Sequence, residues 1–193
     1  MIVVTADMDN DGLRDIFITN GINHDLTDLD FVDFFADEII QKMALTGKKE
    51  SIDSIIQKMP IKPQPNFAYR NKGDLTFDKA NAAWGFEIPT RSNGAAYGDL
   101  DNDGDLDIII GHGNLNPYIK NIFVYLNEGN KNHWLNISCE GTRSNRSAIG
   151  ARVRVKAVIE GETVWMTREI SQENGIHACN GPRLHFGLGD AEK

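Results

Sequence analysis

The sequence has few of the residues that mark disulfide-rich, membrane-spanning or nucleic-acid-binding proteins. It contains two cysteines among 193 residues, Cys139 and Cys179, which are too few for a disulfide framework. A single pair and two free thiols both fit this count. No run approaches the roughly 18 apolar residues that a transmembrane helix needs. Lys and Arg number 20 against 28 Asp and Glu, and this acidic balance argues against a phosphate-backbone partner.

What the chain does contain is a nine-residue acidic motif that occurs twice. Both copies read D-x-D-N-D-G-x-x-D, at residues 7–15 and 99–107, and each runs into an apolar strand. Four carboxylates within nine residues repel one another, so a compact loop that carries them needs a cation at its centre. The formal net charge of -8 equals the charge of the eight aspartates at the shared positions.

The residue types in these motifs predict two Ca2+ sites. Hard carboxylate oxygens, with a glycine that permits a sharp bend, suit calcium, whereas a thiophilic metal would want Cys or His. The predicted ligands are the side chains at the first, third, fifth and ninth positions and the backbone carbonyl at the seventh. They are Asp7, Asp9, Asp11, Leu13 and Asp15 in the first loop, and Asp99, Asp101, Asp103, Asp105 and Asp107 in the second.

Two other interpretations of the motif fit the sequence less well. An EF-hand needs a bidentate Glu at the twelfth position and a helix on each side. The twelfth residues here are Ile18 and Ile110, inside β-branched runs, so the ninth-position Asp closes each loop instead. A solvated acidic turn without metal is the other alternative, and two copies in the same local context argue against it.

The predicted calcium sites bear on the compartment. Met1 runs directly into strand-like sequence, without the charged and apolar regions of a signal peptide. Either the protein stays in the cytosol or its export signal lies upstream of this chain. We favour an extracytoplasmic location, at the cell surface, in the periplasm or secreted, because cytosolic free calcium is too low to fill modest sites of this kind.

A helical pattern interrupts the strands between residues 24 and 62. From Thr27, a potential N-cap, to Gly47, apolar residues recur at helical spacing, and this Phe-rich stripe predicts contact with the core. A second, shorter helix is predicted over residues 50–58. Pro60 ends it, because proline breaks a helix. The pattern therefore predicts a helical hairpin inserted in a β unit.

The remainder of the chain has the texture of strands. The order strand, acidic loop, strand, excursion, strand occurs twice, and the repeat length without the insert is about 50 residues, that of a propeller blade. From His133 onward, alternating residues predict a small all-β module without acidic loops. Its row of Arg152, Arg154 and Lys156 is typical of a solvated strand face.

These features resemble two known families. The acidic loops, with residues 94–99 before the second, resemble the FG-GAP/VCBS repeats of integrin-α-type β-propellers, where such a loop holds one Ca2+ between the first two strands of a blade. Residues 144–153 and 184–189 resemble the ASPIC/UnbV domain. The first copy lacks the small-residue strand that precedes the second, so it resembles a blade cut at its start.

The resemblance implies a mainly β chain. A partial β-propeller region, with two blades of which one carries the α-helical hairpin insert, would span residues 1–130, and a small all-β C-terminal module would span 131–193. Two blades cannot close a ring, which would leave sheet edges bare. The remaining blades of a longer protein, or self-association, are therefore expected as partners.

The function expected from these features is a calcium-binding, non-enzymatic extracytoplasmic binding or adhesion module, with an unknown protein or glycan as its ligand. A metal-dependent hydrolase is the alternative, because acidic loops can also hold Mg2+ or Mn2+ with an open position for water. No nucleophile–base set supports it, and the histidines have no ligand spacing. A nucleic-acid-binding protein is the weaker alternative, since residues 131–193 are only slightly basic.

Overall fold

The computed structural model of the chain describes most of its residues. They are 2–21, 29–47, 51, 63–112, 122–143, 145–171 and 180–191. Three predicted features lie outside them: the Thr27 cap, the second helix of the insert, and Cys179. These features stay predictions.

The described part of the chain contains eleven strands and one helix. In chain order they are β1 (Val3–Ala6), β2 (Asp15–Ile18), α1 (Leu29–Thr46), β3 (Phe67–Asn71), β4 (Phe77–Lys79), β5 (Ser92–Gly98), β6 (Asp107–His112), β7 (Ile122–Tyr125), β8 (His133–Ile137), β9 (Arg152–Ile159), β10 (Glu162–Glu169) and β11 (Leu184–Gly189). The prediction of a mainly β chain is confirmed.

The first sheet is a four-stranded antiparallel blade in the order β1-β2-β3-β4. The first acidic loop joins β1 to β2, where Ala6 pairs with Asp15. The helix α1 falls between β2 and β3 in the sequence, so the predicted insertion of helix into a β unit is confirmed for this first helix. Strands β3 and β4 form an antiparallel hairpin.

The second sheet has three described strands in the order β5-β6-β7. The second acidic loop joins β5 to β6, where Gly98 pairs with Asp107, so both loops occupy the same place in their sheets. The edge strand β7 leaves apolar side chains in solvent, with Ile122 exposed by 68% and Val124 by 52%. Among the described residues, no further strand covers this apolar edge.

The two sheets pack on each other through a common core. Strand β1 lies beside β5, so the two blades meet along their first strands. The ring of Phe86 joins the sheets, because its centroid lies 4.8 Å from that of Phe17 and 4.8 Å from that of Tyr125. The buried residues of this core are Ile2, Val4, Phe17, Ala68, Ala80, Phe86, Ala95, Ile108 and Ile110.

The C-terminal strands build a second core. The hairpin of β9 and β10 packs against the antiparallel pair of β8 and β11, and Met166, Ile170, Leu184 and Phe186 are buried between them. Along β9 the side chains alternate between exposed and half-buried, which confirms the solvated face predicted for its basic residues. Cys139 is half-buried and forms no disulfide within the described residues.

The described side chains of helix α1 join neither core. Phe35, Ile39 and Met43 on its predicted apolar stripe are half-buried, but Leu29 and Ile40 are 72% and 63% exposed. None of these described residues belongs to the two cores. The side chains of Phe31 and Val32, on the same predicted stripe, lie outside the described part of the chain, so the contact of this stripe with the core stays a prediction. No helix among the described residues has the length and apolarity that crossing a bilayer requires.

The C-terminal strands rest directly on both acidic loops. The backbone N–H of Gly189 donates to the carbonyl of Asn10 at 2.7 Å. A Cβ added to Gly187 would lie 2.5 Å from Asn10 Cα, and one added to Gly104 would lie 1.7 Å from Trp134 Cε2. The approach is therefore so close that the contact tolerates only glycine at these points.

This close approach predicts a stability defect in Gly187→Ala. The added methyl group would meet backbone atoms that cannot rotate away, so we expect a loss of about 1–3 kcal/mol in the free energy of unfolding. Gly181→Ala is the matched control, because nothing lies within 4 Å of its Cβ position. We expect the control to stay within about 1 kcal/mol of the parent or to gain stability. Urea unfolding of the three chains measures both effects, and equal stability of Gly187→Ala and the parent would contradict the docking described here.

Candidate metal centres

The two acidic loops have the same backbone conformation. The fourth residue lies in the left-handed region in both, with φ of 57° at Asn10 and 63° at Asn102. The sixth residue also has a positive φ, 93° at Gly12 and 94° at Gly104. Asn and Gly tolerate this region best, which explains why both copies of the motif carry them there.

The ninth aspartate ties each loop back to its own start. Asp15 Oδ2 accepts a hydrogen bond from the backbone N–H of Met8 at 2.9 Å, and Asp107 Oδ2 accepts one from Leu100 at 2.9 Å. Both aspartates are buried. The prediction that the ninth residue closes the loop therefore has a matching pair of hydrogen bonds.

The other oxygen of each ninth aspartate reaches the end of the third strand in its blade. Asp15 Oδ1 accepts from the backbone N–H of Asn71 at 2.9 Å, and Asp107 Oδ1 accepts from that of Asn127 at 2.8 Å. Neither asparagine is among the predicted site residues. The missed signal is a second repeat, Tyr-x-Asn-x-Gly, at residues 69–73 and 125–129.

Three aspartates of each loop gather their oxygens into one group. One oxygen from each member lies within 4.8 Å of the others. The groups are Asp7, Asp9 and Asp15 in the first loop, and Asp99, Asp101 and Asp103 in the second. All six residues are among the ten predicted ligands.

The other predicted ligands lie beside these groups. Asp11 Oδ1 accepts from the backbone N–H of Leu13 at 2.8 Å. The side chain of Asp105 accepts from Asn10 Nδ2 at 2.6 Å, which links the two loops. The backbone carbonyls of Leu13 and Asp105 stay predicted ligands, as do the carboxylates of Asp11 and Asp107.

The donor set fits a hard divalent cation. Asp7 Oδ1, Asp9 Oδ1 and Asp99 Oδ1 are buried and have no hydrogen-bond partner among the described residues. A buried carboxylate oxygen without a hydrogen-bond partner costs free energy of folding. Two of these oxygens lie in the first loop and one in the second, so each loop requires a positive charge. Since every ligand is an oxygen, the chemistry of the site suits Ca2+ better than a thiophilic metal.

An arginine lies beside the aspartates of each loop, but the two arginines approach to different distances. Arg70 Nε lies 2.6 Å from Asp9 Oδ2, and its Nη2 lies 3.6 Å from Asp11 Oδ2. Leu126 takes the corresponding place in the second repeat of Tyr-x-Asn-x-Gly. There Arg183 approaches instead, with its Nη1 at 3.9 Å from Asp99 Oδ2.

The crowded carboxylates of the first loop have unusual proton affinities. Burial, then the charges of Asp11, Asp15 and Asp9, raises the pKa of Asp7 to about 7. Burial also raises the pKa of Asp15 to about 7, although its two backbone hydrogen bonds oppose the shift. Without a metal ion, the first loop therefore carries protons close to neutral pH.

One histidine of the C-terminal strands spans the two centres. His185 is buried, with Nε2 at 2.6 Å from Asn10 Oδ1 and Nδ1 at 3.0 Å from Asn136 Oδ1. Asn136 Nδ2 in turn donates to Asp99 Oδ2 at 3.1 Å. Burial lowers the pKa of His185 to about 4. These contacts make His185 a packed residue, and they agree with the lack of metal-ligand spacing around the histidines.

Two family models match the chain. The model described as FG-GAP-like repeat matches residues 61–110, which include the second loop, and the model described as ASPIC and UnbV matches residues 141–193. Residues 61–110 are therefore similar to an FG-GAP-like repeat, and residues 141–193 are similar to an ASPIC and UnbV segment. The resemblance inferred from the sequence is thereby confirmed. The first loop lies outside the matched residues, and its likeness to the second rests on the shared geometry.

The chain is also similar to cartilage acidic protein 1 from several vertebrates. It is 26% identical to the Xenopus tropicalis protein over 190 residues, 98% of this chain and 24% of that protein. It is 32% identical to the human protein over 123 residues, 64% of this chain and 18% of that protein. The chain thus spans about a quarter or less of the length of these curated relatives.

The raised pKa values predict how the chelated chain responds to pH. Protonation of Asp7 and Asp15 stabilises the metal-free fold below about pH 4, and this stability is lost as pH rises to about 7. The lowered pKa of His185 has the opposite effect, because it makes the stability of the fold rise as pH increases from about 4. The two aspartates outweigh this single histidine. We expect the melting temperature in EDTA to fall from about pH 5 to about pH 7.

Differential scanning fluorimetry with a variant checks this expectation. Asp7→Asn should reduce the fall in EDTA, because it removes one titrating group. Saturating Ca2+ should abolish the fall in the parent chain, since ion binding displaces the protons. A melting temperature in EDTA that is flat or rises over this window would contradict the proton assignment.

Proposed function

We propose that the chain is a calcium-stabilised, non-enzymatic binding module of an extracytoplasmic protein. The observation that carries the proposal is the duplicated loop with buried, unpartnered carboxylate oxygens at its first position, Asp7 and Asp99. Two loops with the same backbone, the same closing hydrogen bonds and the same unsatisfied oxygen have the same requirement for a cation.

The role that this geometry supports for calcium is structural. Each loop joins the first two strands of its blade, and its ninth aspartate reaches the end of the third strand. A bound Ca2+ would supply positive charge among the aspartates of the loop and remove their mutual repulsion. With the aspartates close together, each loop would hold three strands of its blade in place. It would also support the C-terminal strands that pack on it.

The polar groups at the centres support binding rather than catalysis. Both ring nitrogens of His185 face asparagine amide oxygens, and both oxygens of Asp15 accept backbone hydrogen bonds. Groups engaged in this way hold the loops and are not available as a general base. We therefore assign no reaction to these residues.

The proposed location and partners follow from the repeats and the exposed edge. FG-GAP and ASPIC/UnbV matches, with cartilage acidic protein relatives, support an extracellular module of the adhesion type. Calcium sites of extracellular modules are commonly of modest affinity, which extracellular calcium fills. The exposed apolar side chains of β7 support contact with further blades or with a second copy of the chain. The ligand of the module would be a protein or a glycan.

Calorimetric titration of the calcium-stripped chain tests the two sites. We expect two bound Ca2+ per chain, and one in each of Asp9→Ala and Asp101→Ala, because each variant removes a ligand from one loop only. Asp78→Ala is the matched control, because Asp78 belongs to neither loop and its carboxylate, 71% exposed, lies 3.7 Å from Lys72 Nζ. The control should keep two ions. Absence of calcium binding by the parent, or an equal loss in Asp78→Ala, would overturn the proposal.

Chelation tests the structural role separately from binding. A site filled at 100 times its dissociation constant contributes about 2.7 kcal/mol. For a chain of this size that corresponds to roughly 5–10 °C in melting temperature. We therefore expect EDTA to lower the melting temperature by several degrees or more, and replacement of calcium to restore it. A melting temperature that EDTA leaves unchanged would show that the loops need no ion.

A further inference from the structure

A polar cavity lies between the two blades and the C-terminal strands. It has a volume of about 420 Å3, within the range of about 300–1,000 Å3 typical of small-molecule sites. We propose that this cavity binds a small organic acid through its carboxylate, with Arg14 and Arg168 as the anion-binding side chains. The proposal deepens the binding role proposed above by naming a ligand class, and it uses other side chains than the calcium sites.

The walls of the cavity come from three parts of the chain. Strands β1 and β5 supply one side, including Val4 and Tyr97, and the end of β10 with the start of β11 supplies the other, including Ile170 and Leu184. Asn136 adds a polar group. The cavity therefore combines apolar surface with groups that bond to polar atoms, as small-molecule sites do.

Two arginines in the cavity lack a negative partner. Neither Arg14 nor Arg168 forms an ion pair with another described residue, and Arg168 Nη2 is buried without a hydrogen-bond partner there. A face of Arg168 is covered by the ring of Phe186, whose centroid lies 5.3 Å from Cζ. Burial lowers the pKa of Arg168, and the nearby positive charge of Arg14 lowers it further. Two like charges thus face the same space.

Each acidic residue that lines the cavity has a hydrogen bond or an ion pair with a group other than Arg14 or Arg168. Glu169 pairs with Arg152 at 2.6 Å, outside the cavity. Asp99 Oδ2 accepts from Asn136 and lies near a third lining arginine, Arg183. Asp7 Oδ2 accepts from the backbone N–H of Gly12, and the negative charge of Asp7 opposes the lowering of the Arg168 pKa without cancelling it. Among the described residues, these acids therefore offset only part of the positive charge of Arg14 and Arg168.

An oxyanion between the two guanidinium groups would give Arg168 Nη2 a hydrogen-bond partner and would offset the repulsion between Arg14 and Arg168. A buried N–H without a partner costs free energy, and two facing cations repel each other. Guanidinium groups bind carboxylate, sulfate and phosphate through paired, charge-assisted hydrogen bonds. The apolar surface of Ile170 and Leu184 beside them suits the carbon skeleton of an organic acid. These features favour a carboxylate on a small organic molecule over an inorganic ion.

Calorimetry on the full chain tests the site with defined probes. The chain is saturated with calcium, the ionic strength is held constant with NaCl, and sodium glucuronate, sodium sulfate and uncharged glucose are titrated in turn. We expect saturable 1:1 binding of glucuronate, weaker binding of sulfate and no binding of glucose. Glucuronate affinity should fall tenfold or more in Arg168→Met and in Arg14→Met, because each removes a charge-assisted contact.

Arg154→Met is the matched control for these variants. Arg154 lies on β9, opposite Thr167 of β10, and stacks over the exposed ring of Trp165 with its Cζ at 4.8 Å from the centroid. It carries the same charge on the same hairpin but does not line the cavity. We expect its glucuronate affinity to stay within twofold of the parent chain. An equal loss in Arg154→Met would mean general charge attraction and would overturn the proposal.

The remaining outcomes each decide a part of the proposal. No binding of glucuronate by the parent chain, or equal binding of glucose, would overturn it. Sulfate binding as tight as glucuronate binding would overturn the preference for an organic acid. A calcium titration of each variant separates this site from the calcium function, because Arg168→Met should keep two ions while it loses glucuronate. If Arg168→Met does not fold, the exposed Arg14 gives the deciding variant.

Discussion

The structure depends on the repulsion between aspartates that the fold brings together in two loops. Buried carboxylate oxygens at Asp7, Asp9 and Asp99 have no hydrogen-bond partner among the described residues, so a compact loop is stable only when a positive charge or protons compensate them. The loops stand at the same place in both blades, between the first and second strands. What stabilises the loops therefore also stabilises the sheets that they connect.

The C-terminal strands share this dependence because they rest on the loops. His185 and Asn136 connect the strand pair β8 and β11 to both loops, and Gly187 allows the backbones to approach. A loop that expanded by repulsion would push against this contact. The acidic loops and the C-terminal strands are thus coupled physically, although different family models match the second loop and residues 141–193.

Local features of the chain were predictable from its sequence, and contacts between distant residues were not. The spacing of aspartates identified both loops, and alternation identified the strands, because these patterns depend on neighbours in the sequence. The contact of His185 with Asn10, 175 residues apart, needed the packing of the two cores. So did the meeting of Arg14 and Arg168 in one cavity. Helical periodicity predicted an apolar side of α1, but a periodic pattern does not show what covers that side.

The unequal arginines give the two loops different resting states. In the first loop, Arg70 lies at 2.6 Å from Asp9 and offsets part of the repulsion between the carboxylates. Among the described residues, the second loop has the longer approach of Arg183, at 3.9 Å from Asp99. If both loops bind calcium as proposed, these different surroundings would give the two sites different affinities. A chain with two unequal sites would lose its ions in steps as calcium declines, over a range of concentrations rather than at one.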